Sequence, residues 1–350
     1  MLDIDFSTPP WLINSYHVIG TASLFLNSLG VYLLMYQSNK LDKIRYYMLI
    51  YQISCFMADV HLTFLMQAVP LYPMFSGFTV GALSEWFDVS LHYNVVYILF
   101  VILIELEFLI LCFEKKHRAI ARTLNTHVLP DWFLRFCYFT CLVCPFAIAA
   151  WFHSLQLPKK EQWDVIRKDW PQYLEDFEKL DHFDIYQYPF YYTEFSSLFN
   201  FAIYEFNFIF QLIAVGCFIA VILYAIFFSF LIIDIFTLLA GIRRKISAIH
   251  FQRHRVAVIS LISQLATSSM CLMPPVGLVV AIISHYEHSQ KIVRILLAVF
   301  ALHSTVNATV LIMTTPTYRE FVKKMFIREN NRNSDFVWVS AAVHSALVNP

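Results

Sequence analysis

Long apolar stretches separated by short charged ones set the pattern of this chain. Seven stretches run approximately over 12–36, 47–69, 89–113, 132–152, 201–233, 256–283 and 292–313. Each reaches the roughly 20 apolar residues a helix needs to cross a hydrocarbon core of about 30 Å. None alternates apolar and polar residues as a barrel strand does, and no period of 20–50 residues recurs. The pattern predicts an all-α membrane protein. It reads as a seven-transmembrane helix bundle with its N-terminus outside and an amphipathic helix after the seventh span.

Orientation follows from the basic residues, which collect on the inner side of membranes. With residues 1–11 as an extracellular tail, the inner segments hold Lys40, Lys43, Arg45, Lys115, Lys116, Arg118 and Arg122. They also hold Arg243, Arg244, Lys245, Arg253, Arg255, Arg319, Lys323, Lys324, Arg328 and Arg332. The short outer segments carry Asp3, Asp5, Glu85 and Asp88 instead. An odd number of spans then places the C-terminus inside. The N-terminus has no basic n-region and no small-residue cleavage site, so no removable signal peptide is expected and the first span serves as the anchor.

Composition agrees. Of 350 residues, 59% are hydrophobic and 14% charged, against about 25% charged in a soluble domain. Formal net charge is zero, which excludes a polybasic nucleic-acid reader. Seven glycines and the high apolar content exclude collagen and a disordered polar chain. All seven cysteines (Cys55, Cys112, Cys137, Cys141, Cys144, Cys217 and Cys271) fall inside predicted spans, so no disulfide is expected on the outer face.

Ionisable groups at bilayer depth are costly and should face the bundle interior. Asp59 and His61, two positions apart, point in nearly opposite directions on a helix. Glu105 and Glu107 pose the same problem in the third span. One reading is a polar switch or ion site formed by Asp59, His61 and Glu105, with Asn307 opposite; the other is interhelical hydrogen-bond glue. Pro274 and Pro275 predict a kink in the sixth span and Pro316 ends the seventh; the three prolines are the candidate hinge residues. Beyond it Tyr318, Phe321, Val322, Met325 and Phe326 recur at helical spacing, interleaved with Arg319, Lys323, Lys324 and Arg328. That is an amphipathic helix over 317–329, apolar side on the inner leaflet and basic side toward anionic headgroups. A disordered cytoplasmic tail is expected over 330–350. In the long outer segment, Trp163, Ile166, Trp170, Tyr173, Leu174, Phe177 and Leu180 follow helical spacing around Pro171, either as a lid or as packing on the helix ends.

No nucleophile–base set, phosphate cradle or clustered-histidine motif is visible, so no enzyme and no cofactor or metal are expected. His250 and His254 share a helix face, but the arginines around them oppose a cation.

The finer pattern resembles the nematode chemoreceptors of serpentine receptor class I, close to class H, within the general plan of G-protein-coupled receptors. Trp11-Leu12 and Tyr16-His17-Val18-Ile19-Gly20 open the first span, and Arg45-Tyr46-Tyr47 precedes the second. The run from Asp59 through Gln67 continues by Pro70-Leu71-Tyr72-Pro73 to Gly77 and Gly81, with Ala68 where the family pattern has proline. Phe113-Glu114-Lys115-Lys116-His117-Arg118 resembles the family's motif at the inner end of the third span, and differs from the Asp-Arg-Tyr of rhodopsin-like receptors. Pro274-Pro275 and Thr315-Pro316-Thr317-Tyr318-Arg319 also fit. The resemblance spans about residues 10–330. It implies a multi-pass plasma-membrane receptor, on a sensory-neuron cilium, that binds an external chemical ligand and activates a heterotrimeric G protein. The coupling surface would comprise Glu114, Lys115, Lys116, Arg118, Arg243, Arg244, Lys245, Arg253 and Arg255. A membrane transporter or ligand-gated channel is the competing expectation; it predicts charge-lined broken helices or inverted repeats, and neither is visible.

Overall fold

The apolar stretches fold as helices. A computed structural model describes residues 4–37, 44–72, 76–124, 130–154, 156–185, 226, 228–243, 246–269 and 289–325. Helix α1, Pro10–Tyr32, begins at a proline whose fixed φ suits a first turn; the Pro9 carbonyl accepts from the backbone of Leu12 and Ile13. A π-helical turn, Leu33–Gln37, prolongs it. Helix α2, Ile44–Val60, passes into a second π turn, His61–Met66, and stops where Gln67 turns left-handed with φ 45°. Helix α4, Leu91–Leu124, has 34 residues and is about 50 Å long at 1.5 Å per residue. It therefore continues well past the expected end of the third span at 113 and carries the Glu114–Arg118 motif as helix. Helix α5 is Asp131–His153, α8 Phe228–Ile242, α9 Ala248–Ser268 and α10 Ser289–Thr314. After Thr315 a helix α11 covers 316–325. Among the described residues five helices are long and apolar enough to cross a membrane: Pro10–Gln37, Ile44–Met66, Leu91–Leu124, Leu134–His153 and Gln290–Thr314. The shorter Phe228–Ile242 is also apolar.

The helices pack as one bundle: α1 on α2 and α10, α2 on α4, α4 on α5 and α9, and α9 on α10. On α5, Trp132, Phe136, Phe139, Leu142 and Phe146 form an exposed apolar stripe that lipid rather than water accommodates. Gly20 permits the close approach of α1 to α2: a Cβ there would stand 2.5 Å from Thr63 Oγ1 and 2.6 Å from the Phe64 ring.

One end of the bundle carries a small cap. Strands β1 (Ala68–Pro70), β2 (Ser76–Thr79) and β3 (Asp184–Ile185) form an antiparallel sheet in that order, with Val69 opposite Phe78 and Gly77 opposite Asp184. The short helix α3, Ala82–Phe87, follows β2. Helices α6 (Lys159–Asp169) and α7 (Leu174–Glu178), joined by a 3₁₀ turn at Pro171–Tyr173, lie over the sheet. The helical spacing from Trp163 to Leu180 is thus real, and Pro171 opens a turn. The cap has its own core: Val69, Leu71, Phe78, Ile166, Phe177, Phe183 and Ile185, closed by Ile4 from the N-terminal tail. Each fully buried side chain in it contributes about 1.5–3 kcal/mol relative to exposure. The strands differ from the all-helical expectation; pieces of two to four residues, one of them ending at Pro70, are too short for an alternation to be read.

The candidate tail 330–350 and the Pro274-Pro275 kink lie outside the described residues.

Candidate functional site

Most ionisable and amide side chains within the bundle are buried, and they meet in two layers. The deeper layer joins four helices through one chain of hydrogen bonds. Asn307 Nδ2 (α10) donates to the Tyr51 hydroxyl (α2) at 2.6 Å. Tyr51 lies 2.7 Å from Ser268 Oγ (α9), and Ser268 donates to Glu105 Oε1 (α4) at 3.0 Å. Glu105 Oε2 is 3.2 Å from His303 Nε2, back on α10. Since Ser268 donates to Glu105, Tyr51 must donate to Ser268, so every proton in the chain points toward the Glu105 carboxyl. Bonds aligned head to tail polarise one another in a low-dielectric interior. The other imidazole nitrogen, Nδ1, lies 2.9 Å from the Phe300 carbonyl. A carbonyl only accepts, so Nδ1 holds a proton and Nε2 shares a further one with Glu105. Glu105 and His303 are 0% and 1% exposed, so the pair lies shielded from solvent.

The second layer sits between α1, α2 and α10. Asn27 donates to Ser23 Oγ at 2.7 Å and to Ser304 Oγ at 2.9 Å, and accepts from Gln52 Nε2 at 2.5 Å. Asp59 Oδ2 accepts from Thr305 at 3.5 Å, and His303 lies within its electrostatic reach. Gln52 Oε1, Asp59 Oδ1 and Asn307 Oδ1 have no hydrogen-bond partner among the described residues. The Ser23 and Ser304 hydroxyls also lie within hydrogen-bonding reach of the Asp59 carboxyl.

Asp59 and His61 do face different ways. Asp59 turns to α10, while His61 Nε2 lies 3.1 Å from the Asn94 carbonyl of α4 and its ring is 4.4 Å from that of Tyr97. The four predicted switch residues therefore separate. Glu105 and Asn307 share one network, Asp59 belongs to the neighbouring layer, and His61 stands apart. Tyr51, Ser268, His303, Asn27 and Gln52 complete the layers, and sequence reasoning misses them. A readable signal exists in His303 and Asn307, four apart on one helix face of an apolar span.

The basic end of the bundle gathers the Glu114 motif. Glu114 is buried and accepts from the Tyr138 hydroxyl of α5 at 3.1 Å. Lys115 lies over the Tyr47 and Tyr138 rings. Lys116 is 5% exposed, and Arg118 pairs with Asp131 at 2.5 Å. His117, 3% exposed, lies 2.6 Å from Asp234 of α8. Arg243 and Arg255 are exposed and Arg253 lies on α9. Arg244, Lys245 and Phe326 lie outside the described residues. On α11, Tyr318 is buried against Leu33, Leu34, Leu311 and Ile312, with Phe321 partly buried beside it. Arg319, Lys323 and Lys324 are exposed, and Pro316 stands at the start of the helix. Much of α11's apolar side therefore packs on the ends of α1 and α10.

At the opposite end two carboxylates fasten the cap. Asp184 Oδ2 accepts from the first-turn backbone N–H of His92 at 2.8 Å, while its Oδ1 accepts from Gln162 at 3.0 Å and faces Lys159 at 3.4 Å. Asp5 Oδ2 accepts from Arg294 of α10 at 2.7 Å. Partial burial acts to raise the Asp5 carboxyl, but hydrogen bonds from Ser7 and Arg294 and the guanidinium charge outweigh it, so it sits below the usual carboxylate value.

Among the described residues no group of three or more His, Cys, Asp or Glu side chains is arranged to hold a metal ion. No curated protein matches the chain. The family described as serpentine type 7TM GPCR chemoreceptor Sri matches residues 2–191 and 187–322. That is nearly all of the helical region and includes both polar layers, the cap and the basic end. The chain accordingly belongs to the Sri family of serpentine seven-transmembrane chemoreceptors, a family of multi-pass membrane receptors.

Proposed function

We propose that this chemoreceptor, a class I member close to class H, sits in the plasma membrane of a sensory cilium with seven spans. The capped end with the N-terminus faces outside and the basic end faces the cytoplasm. It binds an external small-molecule or peptide cue and activates a heterotrimeric G protein. The observation that carries this reading is the hydrogen-bonded chain from Asn307 through Tyr51, Ser268 and Glu105 to His303. It ties α2, α4, α9 and α10 at one depth, so a shift of one helix must be felt by the other three. A ligand that favours one arrangement of these helices shifts the population toward it. The neighbouring layer supports a switch at Asp59, because a buried carboxyl with several hydroxyl partners around it exchanges one for another as the helices shift.

The G protein meets the exposed cations of the basic end, Arg243 and Arg255 with Arg244, Lys245 and Arg253. Glu114, Lys115, Lys116 and Arg118 form the inner wall behind them and contribute to the surface as the bundle opens there. Pro274 and Pro275 supply the hinge of the sixth span. Arg319, Lys323 and Lys324 hold α11 at the anionic inner leaflet.

The test is a G-protein reporter cell expressing the full chain, screened with volatile and water-soluble odorants. Reversing the charge of Arg243 and Arg244 abolishes the response while surface delivery stays intact; a response that survives the reversal removes the coupling assignment. A ligand-evoked current in cells lacking G proteins would favour the transporter or channel reading instead.

A further inference from the structure

Arg294 stands in the second turn of α10 and is 5% exposed. A guanidinium stays charged at any pH the protein meets, so a buried one must be paired. Its partner comes from the far end of the sequence. Nη1 donates to Asp5 Oδ2 at 2.7 Å, and Nη2 donates to the Asp5 backbone carbonyl at 2.7 Å and the Ser7 carbonyl at 3.5 Å. Gln290, one turn earlier, clamps the same peptide. Its Oε1 accepts from Asp5 N at 3.0 Å, and its Nε2 donates to Asp5 O at 2.8 Å.

The pairing is incomplete in an informative way. The Asp5 carboxylate takes one guanidinium hydrogen bond, not the two parallel bonds that a carboxylate and an arginine form when both are free to align. Arg294 Nε has no partner among the described residues although it is buried. Asp5 itself remains about half exposed. The cation is thus held inside while its anion hangs at the surface on a short tail.

We propose that Arg294 and Gln290 form a binding site for small organic carboxylates, which the receptor fills with its own Asp5 as a tethered occupant. A free carboxylate gains the bidentate geometry that the tail does not reach and displaces it. Displacement withdraws Ile4 and Phe6 from the cap, where Phe6 packs edge-on against Phe177 at 5.1 Å. It thereby uncouples that end of α10 from the cap. The tail is a built-in competitor, and the effective ligand is one that overcomes its high local concentration. This rests on the outward placement of the cap proposed above.

The experiment places a cysteine in the tail, Ile4→Cys, and follows its labelling by a membrane-impermeant maleimide on intact cells expressing the full chain. The parent chain serves as the blank. Labelling is slow while the tail is latched. Sodium butyrate accelerates it several-fold and butyramide does not. Asp5→Asn accelerates it roughly tenfold without any carboxylate, the ratio expected for loss of one charge-assisted hydrogen bond. Arg294→Gln labels fast and no longer responds to butyrate. Equal effects of butyrate and butyramide, or an unchanged rate in Asp5→Asn, overturn the proposal. Labelling seen only after permeabilisation overturns the orientation instead, and the same comparison is then read in permeabilised cells. If Ile4→Cys does not reach the surface, hydrogen exchange at the Asp5 amide, which donates to Gln290 Oε1, in the unsubstituted purified receptor, with butyrate against butyramide, separates the same outcomes.

Discussion

The Nε2 of His117 lies 2.6 Å from Oδ2 of Asp234, and this contact fastens the basic end of α4 to α8. Both side chains are largely shielded, so removing one leaves the other without its charged partner at a cost of about 1–3 kcal/mol. Asp234→Ala should lower the thermal midpoint of the detergent-solubilised receptor by a few degrees and raise ligand-independent signalling in the reporter cell. Basal signalling at or below the parent level would show that the pair does not restrain the helix.

Glu105 should tolerate Gln and reject Leu. Glutamine keeps an oxygen to accept from Ser268 and an amide to meet His303, whereas leucine strands Ser268 and His303 in a dry interior. Loss of one partner from a buried pair costs about 3–5 kcal/mol. Surface expression measured by flow cytometry is therefore expected near the parent level for Glu105→Gln and near background for Glu105→Leu. Equal expression of the two would mean that the hydrogen bonds at this depth contribute little.

Asp184 bridges the α4 backbone, Gln162 and Lys159 from within the cap. Asp184→Ala removes acceptors from three donors and should loosen α6 and β3 by about 1–3 kcal/mol, seen as faster proteolysis within 156–185. The membrane helices should remain protected. A cap as resistant as the parent would show that its apolar core suffices.

The Asp5 latch depends on pH with a definite sign. Its carboxyl is held below the ordinary value in the folded chain, so the latch is at full strength above the unfolded pKa of about 3.9. It weakens only as pH falls through the lower folded value. Between pH 5 and 8 the exchange rate of the Asp5 amide, which donates to Gln290 Oε1, corrected for intrinsic chemistry, should stay flat, then rise under acid conditions. Asp5→Asn should be fast and flat across the whole range.

Gly20→Val should block the approach of α1 to α2, since even a Cβ lies within 2.6 Å of the Phe64 ring. Overpacking of this kind costs about 1–3 kcal/mol. Reduced thermal stability is expected, and partial recovery in the double variant with Phe64→Ala, which vacates the same space, would confirm the contact.

The membrane character of the fold is legible in the sequence because the lipid requirement acts on every residue of a span, and about twenty apolar residues in a row leave few alternatives. The opposite aim of Asp59 and His61 is legible from helical geometry alone. Which partner each meets is not, because Thr305, Asn94 and Tyr97 arrive from helices whose rotation depends on packing across the bundle. Glu105 stands out as a charge in an apolar run. Tyr51 and Ser268 do not, since single hydroxyls are common in membrane helices and only their alignment makes the chain. The Glu114 motif is visible as charge, but its burial is not, because Tyr138 and Asp234 reach it from α5 and α8. Arg294 is hidden for a related reason: its partner lies 289 positions away.

That separation has a bearing on how the protein is made. The contact between the tail and α10 cannot form until α10 has left the ribosome, because Asp5 waits for Arg294. Ile4, Asp5 and Phe6 are thus among the last residues of the cap to settle. Until they do, Phe177 and its neighbours have an unfinished side, and a chain truncated before α10 would present that side to quality-control machinery.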